Sequence, residues 1–101
     1  MKERQTTFKD LPFLVKHFGG INALYEFKNG WKISVSAGEF PYSYPRENFG
    51  NPEGYSSFEV AVLDNNDNFA TKRVAETGND DVLGWMSRDE INELIQVIEA
   101  M

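Results

Sequence analysis

The sequence predicts an α+β fold, an antiparallel four-stranded sheet of two hairpins with a C-terminal helix and a short N-terminal helix packed on it. Two observations favour the sheet: an Asn-Gly turn between two apolar stretches, and a second pair of stretches around an Asp/Asn-rich turn. A capping box before a regular apolar stripe favours the C-terminal helix. The length of 101 residues is typical of one domain, so we expect residues 1–101 to form a single domain.

The first hairpin is predicted from residues 23–28 and 31–37, which flank Asn29-Gly30. Asn-Gly supplies the positive φ angles of a type I′ turn. The second stretch alternates, with Trp31, Ile33, Val35 and Ala37 on one face. A helix over 21–28 also fits the apolar spacing, and the turn signal decides for a strand.

The second hairpin is predicted from 57–63 and 69–74, joined by a turn over 64–68. Between the hairpins, residues 38–54 form a long loop with Gly, Pro and Asn throughout, so neither helix nor strand should persist there. We expect 82–86 to be a packed extended segment that leads into the last helix.

Helices are predicted at both ends of the chain. Near the N-terminus, Asp10 is a possible N-cap, Pro12 suits a first turn and Gly19-Gly20 ends the helix. At the C-terminus, Ser87 and Glu90 form the capping box. The apolar stripes at helical spacing are Phe8, Leu11, Leu14, Val15 and Phe18 in the first helix, and Ile91, Leu94, Ile95, Ile98 and Met101 in the last.

Composition and charge exclude several classes of protein. The chain has no cysteine, which excludes disulfides and thiolate chemistry. It shows neither a membrane-spanning run nor a signal-like N-terminus, so we expect a cytoplasmic protein with no membrane partner. The net charge is −6, split as +3 over residues 1–32 and −9 over 33–101. Such a surface repels a phosphate backbone, so we expect no direct nucleic-acid binding and a partner with a basic surface. The simpler interpretation is that the acidity serves solubility.

No catalytic or metal-binding set emerges from the residue types and their spacing. His17 is the only histidine, which excludes a two-histidine metal site. The segment 64–68 resembles the start of a calcium loop, but Phe69 and Ala75 stand where that loop needs Gly and Glu. Acidic residues at 76, 80 and 81 are more typical of a solvated turn. We therefore predict no enzyme activity, no cofactor and no metal.

The long loop is the first candidate binding surface. Between residues 40 and 55 it holds five aromatic residues and an arginine, the residue types enriched at binding hot spots. We expect the exposed part to be Tyr42, Tyr44 and Arg46, because they alternate with Ser43 and Pro45. The alternative is that Phe40, Phe49 and Tyr55 fold back to cover the sheet.

The second candidate surface is acidic. If the protein occupies a basic groove, the carboxylates that bind it are predicted to be Asp80, Asp81, Asp89, Glu93 and Glu99. The alternative is a solvated helix face with no binding role.

Three stretches, 27–36, 57–64 and 80–87, together resemble small uncharacterised proteins of phages and prophages. In those proteins an Asn-Gly hairpin is followed by a tyrosine-containing loop, a strand, a segment like 80–87 and a short helix. The resemblance covers roughly residues 20–101. It implies a phage or mobile-element accessory protein, and it carries over no catalytic residue.

The predicted function is binding of a host protein, with inhibition by occlusion of a basic surface on a defence or nucleic-acid-handling protein. The alternative is a self-associating structural or assembly protein of a virion or mobile element, which would form a homodimer or larger oligomer through strand edges.

Overall fold

The fold is an antiparallel sheet with one helix packed on one face, as seen in a computed structural model that describes residues 6–17, 19–78 and 80–101. The sheet has five strands in the order β1-β2-β3-β4-β5, so the predicted number of four is wrong. The strands are β1 (Leu14–Val15), β2 (Ile21–Glu26), β3 (Lys32–Ala37), β4 (Phe58–Leu63) and β5 (Leu83–Met86), the helices are α1 (Thr71–Val74) and α2 (Arg88–Glu99), and short 3-10 turns span Phe8–Asp10 and Pro52–Gly54.

The first predicted hairpin is present as β2 and β3, but its turn differs from the prediction. Of the two turn residues only Gly30 has a positive φ, of 89°. Its N–H donates to the carbonyl of Phe27 (2.9 Å), which gives a type I turn followed by a left-handed glycine. The Asn29 side chain donates to the carbonyl of Ile98 in α2 (2.9 Å), so the turn is tied to the end of that helix.

The core lies between the inner face of the sheet and α2. Alternate residues of β2, β3 and β4 point to this face, and the apolar stripe of α2 covers them, as the spacing predicts. The helix begins at the predicted capping box, where the Glu90 N–H donates to Ser87 Oγ (3.2 Å) and the Ser87 N–H donates to the Glu90 carboxylate (2.9 Å). The central buried residues are Ile21, Ala23, Ile33, Val35, Phe58, Val60, Val62, Ile91, Leu94, Ile95 and Ile98.

The predicted N-terminal helix is wrong. Phe8–Asp10 forms a 3-10 turn, and Leu14–Val15 pairs with β2 as an edge strand. Phe8 is buried in the core, and its N–H donates to the Asn92 side chain of α2 (2.7 Å), which fixes the turn against the helix. Tertiary contacts therefore override the helical spacing, and Phe18, the last residue of the predicted stripe, lies outside the described residues.

The predicted strand over 69–74 is also wrong. Only Phe69 bridges to Leu63, and Thr71–Val74 is a short helix. The edge position beside β4 belongs instead to β5, where an extended segment was expected. Thr71 explains the difference, because its buried hydroxyl accepts from the Val62 N–H (2.9 Å) and donates to the carbonyl of Asp81 (2.7 Å). This hydroxyl holds the segment before β5 beside β4.

Candidate functional site

The outer face of the sheet, opposite α2, is the candidate functional site. Two rows of paired residues cross it: Ser36 faces Glu59, and Ser34 faces Ala61. In β2 the same rows continue with Asn22, opposite Ser36, and Leu24, opposite Ser34. No helix of the described residues packs on this face, and Leu24 is exposed there.

A groove of about 430 Å³ lies on the outer face. Its floor consists of the small or polar side chains of Ser34, Ser36, Glu59 and Ala61 on two neighbouring strands. Its walls consist of larger side chains that belong to the segments around the strands. The wall residues are Phe40, Pro41, Phe69 and Val82. The size is within the range of ligand sites, which are typically about 300–1,000 Å³.

The floor offers hydrogen-bonding groups as well as apolar surface. The Asn22 amide donates to Ser34 Oγ (2.9 Å) and to Ser36 Oγ (2.8 Å), which fixes both hydroxyls. In the part of the chain that the structure describes, neither hydroxyl has an acceptor for its own hydrogen. Each serine can therefore donate to a ligand in the groove, and each oxygen retains one lone pair.

Glu59 connects the floor of the groove to the long loop. One carboxylate oxygen, Oε2, accepts from the N–H of Tyr42 (3.1 Å). Among residues 6–17, 19–78 and 80–101, no cation forms an ion pair with Glu59. A carboxylate has about four acceptor positions, so most of the capacity of this group is unused. The groove thus contains a partly buried negative charge.

A β-bulge in β5 places a tryptophan beside the groove. Phe58 and Val60 pair with Met86 and Leu83, so the bulge adds one residue to β5 opposite Glu59. Within it Trp85 has a φ of 53°, an unusual value for a bulky residue, and its ring is 56% exposed. Strained backbone that leaves a large ring in solvent is typical of functional positions.

The tryptophan is part of a stack that also contains two residues predicted as binding residues. The rings of Tyr42 and Trp85 lie 5.2 Å apart, and the Arg46 guanidinium lies 5.7 Å from the Tyr42 ring. The backbone N–H of Trp85 donates to the backbone carbonyl of Tyr42 (2.8 Å). Gly84 permits this approach, since a Cβ there would lie 3.0 Å from the Cβ of Tyr42. We call Arg46, Tyr42 and Trp85 the aromatic stack.

Several hydrogen bonds fix the loop that carries the stack. Ser43 is fully buried, and its hydroxyl accepts from the Gly38 N–H and donates to the Gly38 carbonyl, each at 3.1 Å. The Arg46 guanidinium donates to the carbonyls of Glu39 (3.3 Å) and Phe40 (2.9 Å). The Tyr55 hydroxyl donates to the carbonyl of Glu47 (2.5 Å). The loop is therefore held at both ends and in the middle.

The structure bears out the expected alternation in the loop. Tyr42, Tyr44 and Arg46 are exposed, whereas Ser43 is buried and Pro45 is partly covered. Tyr44 stands outside the aromatic stack, with its backbone bridged to Ser57. Of the aromatic residues expected to fold back as an alternative, Phe49 and Tyr55 contact the core, but Phe40 is 66% exposed.

The predicted acidic residues fall into two groups, one directly before β5 and one on α2. Asp80 and Asp81 are exposed and directly precede Val82, a wall residue of the groove. The exposed acids of α2 point away from the core, on the side of the sheet opposite the groove. These helical residues are Asp89, Glu93 and Glu99.

The sequence interpretation missed the groove residues Glu59, Phe69 and Ala61, and it missed Trp85. Phe69 lies in the stretch predicted as the second strand of the second hairpin, and Trp85 lies in the predicted packed extended segment 82–86. The bulge cannot be deduced from sequence spacing, but an Asp/Asn-rich turn that ends on an exposed phenylalanine is a usable signal.

No group of three or more His, Cys, Asp or Glu side chains within the described ranges is arranged to hold a metal ion. None of the helices formed by those residues has the length and hydrophobicity to span a bilayer. Comparison of the chain with protein-family models, curated proteins and solved structures finds no match.

Proposed function

We propose that this protein is a non-enzymatic binding module that captures a segment of a partner protein on the outer face of its sheet. The observation that carries this proposal is the groove on that face, bordered by exposed aromatic side chains. Exposed aromatic side chains such as Phe40 and Phe69 offer a large contact area, and aromatic residues are enriched at protein interfaces.

The extent of the face favours a protein as the partner. Beyond the groove, Leu24 of β2 lies opposite the floor residue Ser34 and is exposed, and Trp85 of the stack lies in the bulge opposite the floor residue Glu59. A small ligand would fill the groove alone, whereas a protein segment would cover the stack and Leu24 as well. Large exposed apolar patches of this kind mark protein interaction sites.

The charge of the protein favours a basic partner. The net charge is −6, and the groove contains the carboxylate of Glu59. Charges of opposite sign on the partner would accelerate association and select against acidic competitors. The resemblance to phage and prophage proteins supports a biological setting for this binding: occlusion of a basic surface on a host defence or nucleic-acid-handling protein, in the host cytoplasm.

The test is affinity capture from host lysate with variants of the two opposite surfaces. Phe40→Ala removes an exposed groove wall, and Glu93→Lys reverses a charge on α2. We expect one stoichiometric partner to bind the wild type and the Glu93→Lys variant, and to bind the Phe40→Ala variant at least about tenfold more weakly. Thermal denaturation of each variant shows that the fold is retained. Loss of the partner only in the α2 variant would contradict binding at the outer face.

A second candidate function, self-association, is favoured by the edge strand β1. Leu14 and Val15 are 61% and 64% exposed there, and an edge strand with apolar side chains can pair with another chain. Sedimentation of the wild type and of Val15→Lys over a wide concentration range tests it. A concentration-dependent oligomer that Val15→Lys abolishes supports assembly, and a monomer throughout contradicts it.

A further inference from the structure

The groove has the acceptor groups and aromatic walls that a guanidinium group requires. On its floor, Glu59 and Ser36 face each other on neighbouring strands, so a carboxylate and a hydroxyl oxygen lie side by side. The ring of Phe40 stands on one wall and that of Phe69 on another. The guanidinium of arginine is planar, donates up to five hydrogen bonds in a fixed fork and stacks on aromatic faces.

From this arrangement we infer that the groove is a pocket for an arginine side chain of the partner protein, with Glu59 as its counter-ion. The inference rests on the proposed function and names the chemistry that the captured segment presents. Glu59 uses one acceptor position for the Tyr42 N–H, and none of the cations of the described residues pairs with it. A partner guanidinium would supply the missing positive charge.

Arginine fits this pocket better than lysine does. A lysine ammonium is a compact, strongly hydrated point charge, which gains less from aromatic walls and loses more water on entering a partly apolar groove. The protein packs its own guanidinium groups on rings in the same way: Arg73 lies 4.8 Å from the Trp31 ring and Arg88 lies 5.1 Å from the Phe58 ring. Arg73 and Arg88 are engaged in these contacts within the chain.

The charge around the groove agrees with a cationic occupant. Glu39 is exposed in the loop beside Phe40, and Asp81 is exposed beside Val82 at the other wall. Two positive groups of this region are already engaged: the Arg46 guanidinium is turned to the carbonyls of Glu39 and Phe40 and to the Tyr42 ring, and Lys32, on the outer face of β3, pairs with Asp67 and Glu26. The open groove exceeds the volume of one side chain, so apolar neighbours of the arginine enter with it.

The test uses a blocked peptide, N-acetyl-Leu-Arg-Leu-amide, titrated into the full-length protein and followed by amide NMR shifts. The matched peptide replaces arginine with citrulline, which has nearly the same shape and no charge. We expect the arginine peptide to shift the signals of Glu59, Ala61 and Trp85, and the citrulline peptide to bind at least about tenfold more weakly, the typical loss for a hydrogen bond to a charged group. A lysine peptide should bind more weakly than the arginine peptide.

The matched protein variants are Glu59→Gln and Glu99→Gln. The amide oxygen of Gln still accepts from the Tyr42 N–H, so Glu59→Gln removes the charge and keeps the loop in place. Glu59→Gln should weaken binding of the arginine peptide at least about tenfold. Glu99→Gln, on the opposite side of the sheet, should leave the affinity for this peptide unchanged. Equal binding of the arginine and citrulline peptides, shifts confined to α2, or no binding of any peptide would overturn the inference.

Two further arms separate this inference from the proposed function and from other occupants. N-acetyl-arginine-amide that binds as tightly as the peptide would indicate a site for a free small molecule and overturn capture of a protein segment here. If the protein self-associates and Glu59→Gln abolishes the self-association, the occupant of the groove is a second copy of the chain. That result would also overturn the inference. If the captured protein is lost with Phe40→Ala and retained with Glu59→Gln, the proposed function stands and the arginine pocket does not.

Discussion

The buried hydroxyl of Ser43 is expected to control the position of the loop that carries the aromatic stack. Replacement by alanine removes both of its hydrogen bonds and leaves the N–H and the carbonyl of Gly38 without partners in a buried position. Each buried polar group that loses its partner costs about 1–3 kcal/mol, and two groups are affected, so we expect Ser43→Ala to lower the free energy of unfolding by about 2–6 kcal/mol. For a domain of this size that corresponds to a fall in melting temperature of at least about 8 °C.

Urea denaturation followed by circular dichroism measures this loss, with Ser56→Ala as the matched control. Ser56 is exposed, and its hydroxyl donates to the carbonyl of Tyr44 at 3.3 Å, where water can replace it. We expect the control to change the stability by less than about 0.5 kcal/mol. If Ser43→Ala and Ser56→Ala destabilise the protein equally, the hydroxyl of Ser43 does not hold the loop, and the reasoning is refuted.

Two other predictions concern the core and the outer face. Ile95→Ala, at a fully buried position of α2, should lower the free energy of unfolding by about 2–5 kcal/mol. The control Val97→Ala, on the exposed side of the same helix, should change it by less than about 0.5 kcal/mol. Equal effects of the two variants in urea denaturation would contradict the packing described. The hydrogen bond to Asp67 raises the pKa of Lys32 above its ordinary value of 10.5, and the Glu26 carboxylate adds to the shift. A group whose pKa is raised in the folded state stabilises the fold below its ordinary pKa, and this contribution is lost as the pH rises through the folded-state pKa. The difference in stability between wild type and Lys32→Met should therefore shrink as the pH rises from 8 to above 10.5. A difference that grows over that range would contradict this.

The parts of the fold that local residues determine could be predicted from the sequence. The capping box at Ser87 satisfies its own backbone groups, and Asn29-Gly30 is a strong local turn signal, so the helix start and the hairpin were predictable, although the turn type was not. The errors lie where distant contacts decide. Phe8 is fixed by Asn92, and Thr71 by Val62 and a carbonyl before β5. No local pattern reveals those partners.

The candidate site also has features that local residues determine and features that distant contacts determine. The exposure of Tyr42, Tyr44 and Arg46 followed from alternation along an extended loop, which is a local property. The position of Trp85 depends on a bulge in the pairing of β4 with β5, and the groove depends on which residues face each other across strands. The sequence therefore predicted one side of the stack and could not predict the floor beside it.

The depth of the groove is a consequence of residue size on the outer face. A solvated sheet face usually carries long polar side chains, which fill the space above the strands and keep it level. Here the central positions carry Ser34, Ser36 and Ala61, which are too short to fill it, while Phe40 and Phe69 rise at the sides. Solubility alone would not require a floor of small residues with a single carboxylate beside exposed rings. Solubility accounts more readily for the exposed acids of α2, which lie on the opposite side of the sheet. We therefore expect the binding function on the outer face.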